Sequence, residues 1–192
     1  MTIPDTSSAT FFEAKYRRES DPWNFLQSPY ECARYDAILK ALRGRHYRRT
    51  FEPGCSIGAL TIRLADICDE IEASDFSPTA VKEARKRCEN LSSVRIRCCP
   101  LSEEKDFGRF DLVVLSEIGY YFVAPDWREL AERCVATMEN DSILLAAHWL
   151  GNSTDHRMSG DEVHAILASN ASLLLEHSER HEFFRIDRWR KA

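Results

Sequence analysis

The stretch FEPGCSIGAL, residues 51–60, decides the fold because it places two glycines four residues apart directly after an apolar run. Gly54 allows the chain to turn sharply and approach a ligand closely. We expect Gly58 to let a helix that begins near Ile57 pack close to the preceding strand. Glu52 can hold the turn or contact a ligand. The stretch therefore predicts a strand, a tight turn with a ligand beside it, and a helix.

Apolar runs alternate with amphipathic segments along the rest of the chain. The strand candidates are 48–53, 71–75, 94–98, 110–115, 142–148, 172–178 and 182–189. Helix candidates between them are 57–67, 77–89, 126–138 and 159–169. This alternation needs crossover connections, so we expect a mainly parallel α/β sheet covered on both faces. The last two strand candidates lie too close together for a helical crossover and should form an antiparallel hairpin at the sheet edge.

Two helix starts are marked by capping residues. Ser77 followed by Pro78 predicts an N-cap with proline in the first turn. Ser159 with Glu162 three residues later predicts a capping box.

The residues before the first strand candidate form a separate segment. Helix candidates at 8–18 and 29–43 flank the loop SDPWNFLQSPYE, residues 20–31. These residues cannot join the sheet, and we expect them to form a lid or a wall of the substrate site. No repeat, low-complexity tract or linker interrupts the chain, so we predict one domain over residues 1–192.

Asp75 provides a second sign of a nucleoside site. It ends a strand candidate about 20 residues beyond the glycines, where a carboxylate can bind both ribose hydroxyls. The dinucleotide pattern GxGxxG is absent, which weakens a nicotinamide or flavin interpretation. The spacing suits a nucleoside without a pyrophosphate, such as S-adenosylmethionine. The alternative is that Gly54 and Gly58 only mark a turn and Asp75 only precedes a helix.

The bulk composition narrows the class of protein. The chain has 192 residues, 44% hydrophobic content and a formal net charge of -5. This acidic balance argues against a nucleic-acid or anionic-membrane partner held by overall charge. The sequence shows neither a membrane span nor a signal-peptide layout, so we expect a cytoplasmic protein. The seven cysteines lack zinc-ligand spacing and predict reduced thiols without a metal site.

Several segments resemble class I S-adenosylmethionine-dependent methyltransferases, and within them the group around the nodulation protein S methyltransferases. The matching segments are DPWNFLQSPYECARY (21–35), FEPGCSIGALTIRLA (51–65), SDFSPTAVKEAR (74–85), FDLVVLSEIGYYF (110–122) and HWLGNSTDHRMSGDEVH (148–164). The resemblance implies a Rossmann-like, mainly parallel seven-stranded sheet with a reversed last strand. It also implies N-terminal lid helices at 1–46 and a core at 47–192.

The same resemblance implies roles for individual residues. Glu52, Gly54, Cys55 and Gly58 would cradle the methionine part of S-adenosylmethionine, Asp75 would bind the ribose, and Phe76 would pack on the adenine. Many class I enzymes place an aspartate after the third strand, where this chain has Pro100 and Leu101, so backbone and apolar contacts would hold the adenine. Further expected cofactor contacts are Trp23, Tyr30, Ser77, Ser116 and Glu117.

The acceptor is expected at the other strand ends. The nodulation protein S enzyme N-methylates a deacetylated chitooligosaccharide, so the resemblance implies a small-molecule amine acceptor, such as an amino sugar. An amine must be unprotonated to react. Candidates for this work are Glu117, Tyr120, Tyr121, His148, Asp155, His156, Asp161 and His164. We predict that His148, Glu117 and Tyr121 take part in catalysis, with His148 as the base because it ends an apolar strand where the site should open.

Other interpretations stay open for individual residues and for the whole chain. His148 is equally compatible with a buried structural histidine, and Asp161 and Glu162 are typical of helix-capping acids. Trp23 and Tyr30 could instead fasten the N-terminal helices to the sheet. A hydroxyl acceptor, a cofactor-binding protein without catalysis and an RNA methyltransferase are the alternative functions. The sequence does not determine the oligomeric state.

Overall fold

A computed structural model describes residues 9–103 and 108–192, which form one seven-stranded sheet with helices on both faces. The strands are β1 (Tyr47–Pro53), β2 (Cys68–Asp75), β3 (Val94–Cys98), β4 (Leu112–Ser116), β5 (Ile143–Trp149), β6 (Leu173–Arg180) and β7 (Phe184–Lys191). Their order across the sheet is β3-β2-β1-β4-β5-β7-β6. All seven strand candidates are confirmed, with small shifts at their ends.

The pairing directions confirm the expected Rossmann-like class. Strands β3, β2, β1, β4 and β5 run parallel to one another, whereas β7 runs antiparallel to both β5 and β6. The hairpin of β6 and β7 lies at the sheet edge because the short connection between them leaves no room for a crossover helix. Strand order reverses between β1 and β4, and such a switch point opens a crevice at the carboxyl ends of the strands.

The helices are α1 (Ala9–Arg18), α2 (Pro29–Ala41), α3 (Thr61–Leu64), α4 (Pro78–Arg87), α5 (Ala124–Thr137) and α6 (Gly160–Ala168). Both predicted caps are confirmed, since the Ser77 hydroxyl accepts from the Ala80 N–H and Ser159 forms a capping box with Glu162. The predicted helix 8–18 starts one residue outside the described part of the chain. Helices α1 and α2 lie outside the sheet, where α1 contacts α4 and α2 contacts β5 and β7.

The helix predicted at 57–67 is wrong in length. Only Thr61–Leu64 is α-helical, and the residues before it form a turn in which Gly58 N–H donates to the Cys55 carbonyl. Ser56 and Gly58 both have positive φ, at 50° and 79°. Left-handed residues interrupt a right-handed helix, so the helix begins only after the turn is complete.

The two faces of the sheet carry separate cores. Leu112, Val114 and Leu145 pack with residues of α2, α3 and α4 on one face. Leu115 and Leu144 pack with residues of α5 and α6 on the other. Because both faces are covered, the central strands are apolar without alternation, and the polar residues at their carboxyl ends stand out.

Candidate active site

A cavity of about 670 Å³ lies at the carboxyl ends of the central strands. Its walls come from the segments that follow β1, β2, β4 and β5, together with α1, α2 and the loop between these two helices. Small-molecule sites usually have volumes of about 300–1,000 Å³. The cavity therefore has the size and position of a ligand site at the sheet's switch point.

Gly54 forms the turn that closes the cavity below β1. Its φ is +72°, and a Cβ at this position would overlap the side-chain methyl of Ile118. The next residue is held by a hydrogen bond of 2.9 Å from the Cys55 N–H to the Ser74 carbonyl. Only glycine meets both requirements, so the predicted sharp turn is confirmed; the close approach that the structure shows is to Ile118, and the approach to a ligand stays a prediction.

Gly58 has a different role from the one predicted. A Cβ here would lie 3.3 Å from both Cα and Cβ of Ala84, which belongs to α4. Gly58 therefore allows close packing between the turn and α4, not between α3 and β1. Gly58 is not among the residues that line the cavity, and its contact with the cofactor stays a prediction.

Asp75 lies at the end of β2 and lines the cavity. Its two carboxylate oxygens each accept a backbone N–H, from Ser56 and from Ser77, both at 2.9 Å. Burial raises the pKa of Asp75 to about 6, although these hydrogen bonds act in the opposite direction. Each oxygen keeps a further lone pair, so the carboxylate can hold the turn and still accept from a ligand.

Glu52 is a buried carboxyl group beside the same turn. Its side chain is almost fully enclosed, and among the described residues its Oε2 has no hydrogen-bond partner. Burial raises the pKa of Glu52 to about 8, because the charged form loses its solvation. An enclosed carboxyl without a basic neighbour is suited to a cationic ligand group.

The remaining predicted cofactor contacts divide into two groups. Phe76, Pro100 and Leu101 line the cavity, as does the buried Cys55. Ser77 does not, because its hydroxyl caps α4 and donates to Glu13 of α1 at 2.6 Å. The expectation that the Ser77 side chain contacts the cofactor is therefore wrong.

Aromatic residues of the N-terminal segment form one wall. Trp23 packs against Phe25, Tyr16 and Phe12, at ring-centroid distances of 5.6, 5.4 and 6.0 Å. Tyr16 and Ser56 share a hydrogen bond of 2.5 Å between their hydroxyls, which ties α1 to the turn after β1. Phe12 and Tyr16 were not predicted as site residues, although their spacing of four places them on one face of a helix.

Tyr30 lines the cavity near this wall, and its ring packs edge-on against Phe184 of β7 at 5.8 Å. Among the described residues, its buried hydroxyl has no hydrogen-bond partner. Trp23 and Tyr30 were predicted either to contact the cofactor or to fasten the N-terminal helices. In the structure both side chains line the cavity and also pack against other aromatic side chains.

Arg34 of α2 is a buried cation that the sequence analysis did not single out. Its guanidinium donates to Glu31 and to the Ser116 hydroxyl, and Nη1 lies 3.7 Å from Glu117 Oε1. Arg34 is 1% exposed, so it neutralises these acids away from solvent. The contact joins α2 to the end of β4 and fixes Ser116 at the cavity wall.

Glu117 connects the strand ends on the acceptor side. Its Oε1 accepts the Trp149 N–H at 2.7 Å and its Oε2 accepts the Tyr120 hydroxyl at 2.6 Å. Its φ of 58° is unusual for a residue other than glycine, and such strain is concentrated at functional sites. Glu117 lines the cavity and also links the turn after β4 to the end of β5.

Tyr121, Asp155 and His156 also line the cavity beyond β4 and β5, where the acceptor is expected. The His156 ring stacks on Tyr120 at 3.8 Å and meets Tyr121 and Trp149 edge-on at 5.4 and 5.8 Å. Burial lowers the pKa of His156, while Asp155 and Glu117 oppose this shift. His156 is therefore a neutral, oriented imidazole in the cavity wall at neutral pH.

His148 does not reach the cavity, which contradicts its predicted role as the base. It is fully buried; Nε2 accepts the Gly119 N–H at 3.0 Å and Nδ1 lies 3.1 Å from His164 Nε2. Burial keeps the pKa of His148 well below its usual value. With both ring nitrogens occupied inside the protein, His148 cannot take a proton from a substrate.

The three remaining candidates, Asp161, Glu162 and His164, do not line the cavity. Asp161 is paired with Arg180 and Arg185 at the surface, and Glu162 caps α6. His164 contacts Asp187 at 2.8 Å, not Asp161. These three positions serve structure rather than ligand contact.

The described residues contain neither a candidate metal site nor a candidate membrane-spanning helix. Within residues 9–103 and 108–192, no group of three or more His, Cys, Asp or Glu side chains is placed to hold a metal ion. None of the helices in the same part of the chain is long and apolar enough to cross a membrane.

Comparison with known families gives a match over most of the chain. The family model described as Nodulation protein S (NodS) matches residues 12–155. Nodulation protein S of Bradyrhizobium diazoefficiens is 31% identical over 102 residues, or 53% of this chain and 49% of that protein. The protein of the same name from Sinorhizobium fredii is 28% identical over 102 residues, 53% of this chain and 47% of that protein. These matches span about half the length of the curated relatives.

Solved structures share the fold. The N-methyltransferase NodS from Bradyrhizobium japonicum WM9, in complex with S-adenosyl-L-homocysteine, has a TM-score of 0.83 at 22% identity and covers 94% of this chain and 96% of that chain. A Pseudomonas syringae structure is 34% identical, has a TM-score of 0.73, and covers 84% of this chain and 99% of that chain.

Proposed function

The chain belongs to the nodulation protein S family, and we propose that it transfers a methyl group from S-adenosylmethionine to a free amine of a small molecule, such as an amino sugar. The observation that carries the proposal is that one cavity is lined by two groups of residues. Gly54 and Asp75, at the ends of β1 and β2, line one half, and the acids Glu117 and Asp155 line the other. One half offers contacts for a nucleoside, and the other offers oriented polar groups for an acceptor.

The charge of the cavity supports cationic ligands. Five carboxyl groups line it against two basic side chains: Glu31, Glu52, Asp75, Glu117 and Asp155 against Lys15 and Arg34. Because burial raises the pKa of Glu52 to about 8, this carboxyl is mostly protonated at neutral pH, and the excess of negative charge comes from the other four. A cleft with an excess of one charge attracts ligands of the opposite sign. S-adenosylmethionine and an amine acceptor are both cationic in water, whereas an anionic acceptor would be repelled.

The residues on the cofactor side fit S-adenosylmethionine. The Asp75 oxygens can accept two ribose hydroxyls, and the unpaired Glu52 oxygen can accept from an ammonium group. Phe76, Pro100 and Leu101 supply an apolar wall for the adenine. When bound, this cofactor supplies a methyl group on a positively charged sulfur.

The protein's own part is to align the acceptor and keep its amine unprotonated. The aromatic wall of Phe12, Trp23 and Tyr121 excludes water from the space beside the turn. Glu117 can accept an N–H of the amine, which points the nitrogen lone pair away from the carboxylate. His156 is neutral and lies in the same wall, so it can accept a proton that the amine must lose.

Calorimetry tests the cofactor assignment. We expect measurable binding of S-adenosylmethionine and S-adenosyl-L-homocysteine, and Asp75→Asn should weaken it by roughly 10- to 100-fold because a hydrogen bond to a charged group is lost. Glu162→Gln is the matched control, since Glu162 lies far from the cavity. Absence of binding by the wild-type protein would rule out the proposed function.

A methyl-transfer screen tests the acceptor assignment. Glucosamine, glucose and N-acetylglucosamine form a matched set in which an amine is replaced by a hydroxyl or masked as an amide, and RNA serves as an unrelated acceptor. Transfer to glucosamine and other free amines is expected. Transfer to the hydroxyl compounds would show an O-methyltransferase, and cofactor binding without any transfer would show a binding protein.

A further inference from the structure

Three buried polar side chains form a continuous hydrogen-bonded chain behind the acceptor side. Asp187 Oδ2 lies 2.8 Å from His164 Nδ1, His164 Nε2 lies 3.1 Å from His148 Nδ1, and His148 Nε2 lies 3.0 Å from the Gly119 nitrogen. All three side chains are fully buried. We call His148, His164 and Asp187 the histidine clasp; it joins β5, α6 and β7 to the turn after β4.

The direction of every hydrogen bond in the clasp follows from the Gly119 N–H, to which His148 is bonded. A backbone N–H can only donate, so Nε2 of His148 must carry a lone pair. The neutral His148 ring then has its proton on Nδ1 and donates to His164 Nε2. His164 in turn has its proton on Nδ1 and donates to Asp187. Both rings are therefore single tautomers, and Asp187 Oδ2 accepts from His164 and also lies 2.8 Å from Arg185 Nη2.

Gly119 begins the short 3₁₀ turn Gly119–Tyr121, and the clasp holds this turn at a crowded position. A Cβ on Gly119 would overlap the Val163 side chain and lie 2.9 Å from the Trp127 ring. The turn therefore packs against α5 and α6, and its first residue is hydrogen-bonded to His148.

Hydrogen bonds of Tyr120 connect this turn to residues on the proposed acceptor side of the cavity. The Tyr120 carbonyl accepts the Arg157 N–H at 2.7 Å, and the Tyr120 hydroxyl donates to Glu117 at 2.6 Å. Through these bonds the position of Gly119 fixes Glu117 and the loop that carries Asp155 and His156. None of the clasp's hydrogen bonds in the described part of the chain reaches the turns after β1 and β2, which carry Gly54 and Asp75.

Burying two imidazoles and a carboxylate is a costly way to fill a core, since apolar side chains of similar volume often stabilise a fold as well or better. Hydrogen bonds between buried polar groups fix the geometry of the groups they join, although among the described residues Asp187 Oδ1 has no hydrogen-bond partner. We propose that His148 is a positioning residue, held by His164 and Asp187, that sets the turn Gly119–Tyr121 and thereby Glu117 for the acceptor. This inference rests on the proposed function.

Two substitutions of His148 separate the bond to Gly119 from the bond to His164. In His148→Gln the side-chain carbonyl can occupy the place of Nε2 and accept from Gly119. In His148→Asn the amide can occupy the place of Nδ1 and donate to His164, but Gly119 loses its acceptor. The measurements are backbone amide hydrogen exchange at Gly119–Tyr121, binding of S-adenosyl-L-homocysteine by calorimetry, and kcat and KM for the amine acceptor that reacts best in the screen.

We expect His148→Asn to speed exchange at Gly119 and to lower kcat/KM for the acceptor about 10-fold, as the loss of one buried hydrogen bond implies. Its affinity for S-adenosyl-L-homocysteine should stay within about 2-fold of the wild type. His148→Gln should restore slow exchange and most of the acceptor kcat/KM. Equal loss in both variants, or a parallel loss of cofactor affinity, would show a merely structural role.

A measurement on the wild-type protein guards against variants that do not fold. Nitrogen-15 NMR of labelled histidine should show His148 as the Nδ1–H tautomer throughout the neutral pH range. An Nε2–H tautomer would contradict the clasp. Because the exchange and NMR readouts do not depend on methyl transfer, a failure of the proposed function and a failure of the clasp give different results.

Discussion

The two halves of the cavity are built in different ways. The half after β1 and β2 is shaped by backbone, because Gly54 and Ser56 adopt positive φ and Asp75 accepts two backbone N–H groups. The half after β4 and β5 is shaped by side chains, because Glu117 receives Tyr120 and Trp149 and approaches Arg34. The first half uses mainly backbone groups, some of them from distant segments such as Ser56 and Asp75, and the second uses mainly side-chain contacts such as those of Glu117.

This difference has a consequence for function. A site made of turns binds any ligand that shares the same nucleoside, and it tolerates change elsewhere in the protein. A site made of long side-chain contacts changes its shape whenever one partner changes. We therefore expect cofactor binding to be robust and acceptor choice to be sensitive, and substitutions in each half test this contrast.

Gly54→Ala should have the largest effect. The added Cβ would overlap Ile118 and the φ of +72° would be strained, so we expect loss of measurable cofactor binding and a lower Tm. Gly44→Ala is the matched control, since Gly44 also has a positive φ of +86° but no atom lies within 4 Å of its added Cβ. Retained binding by Gly54→Ala would show that the turn does not approach the ligand.

Arg34→Met tests the side-chain half. The change leaves Glu31 and Glu117 without their buried cation, which should cost about 3 to 5 kcal/mol and lower Tm by roughly 6 to 20 °C. Thermal unfolding measures the loss. The double variant Glu31→Gln/Arg34→Met should recover part of it, and a double variant no more stable than Arg34→Met would contradict the pairing.

Glu52→Gln should change the pH dependence of stability. Burial raises the pKa of Glu52 from its ordinary 4.5 to about 8, so between these values the folded protein binds more protons at this site than the unfolded chain. Stability from this group is therefore present at low pH and lost as pH rises toward 8. We expect urea unfolding to show a loss on the order of 2 kcal/mol between about pH 6 and pH 8 in the wild type.

The glutamine variant should lack that loss, because it has no proton to release. Asp75 has a pKa raised to about 6 and contributes a loss of the same sign at lower pH, so the comparison uses the wild type and Glu52→Gln over the same pH range. Identical pH profiles for the two proteins would show that Glu52 is ionised in the folded state.

Ser159→Ala should have the smallest effect. It removes the capping box of α6, which does not line the cavity, and should cost about 1 kcal/mol with a Tm lower by roughly 2 to 4 °C. Cofactor affinity and methyl transfer should stay unchanged. A loss of acceptor activity here would mean that the start of α6, and not only His164 within it, positions the acceptor side.

The fold and the turns after β1 and β2 were largely predictable from the sequence, whereas cofactor binding by these turns stays a proposal. Gly54, Asp75 and the capping serines act through local backbone rules that depend on a few neighbouring residues. The length of α3 was not predictable, because two left-handed residues interrupt the amphipathic pattern.

The acceptor half was predicted only in part. Glu117 and Tyr121 do line the cavity, but Arg34 was missed and His148 was assigned the wrong role. A central strand with both faces covered shows no polar alternation, so its sequence does not tell which way a histidine points. The partner of His148 lies 16 residues away on another element, and no local pattern marks that pairing.

The sequence by itself determined the order of strands and helices, the turn at Gly54 and the acid at the end of β2, because these follow from short-range sterics and hydrophobic periodicity. Only the tertiary structure decided that His148 fastens the turn at Gly119 and that Arg34 reaches Ser116, 82 residues along the chain. Hydrogen bonds of buried side chains depend on which distant elements the sheet brings together, and that information is absent from any single segment.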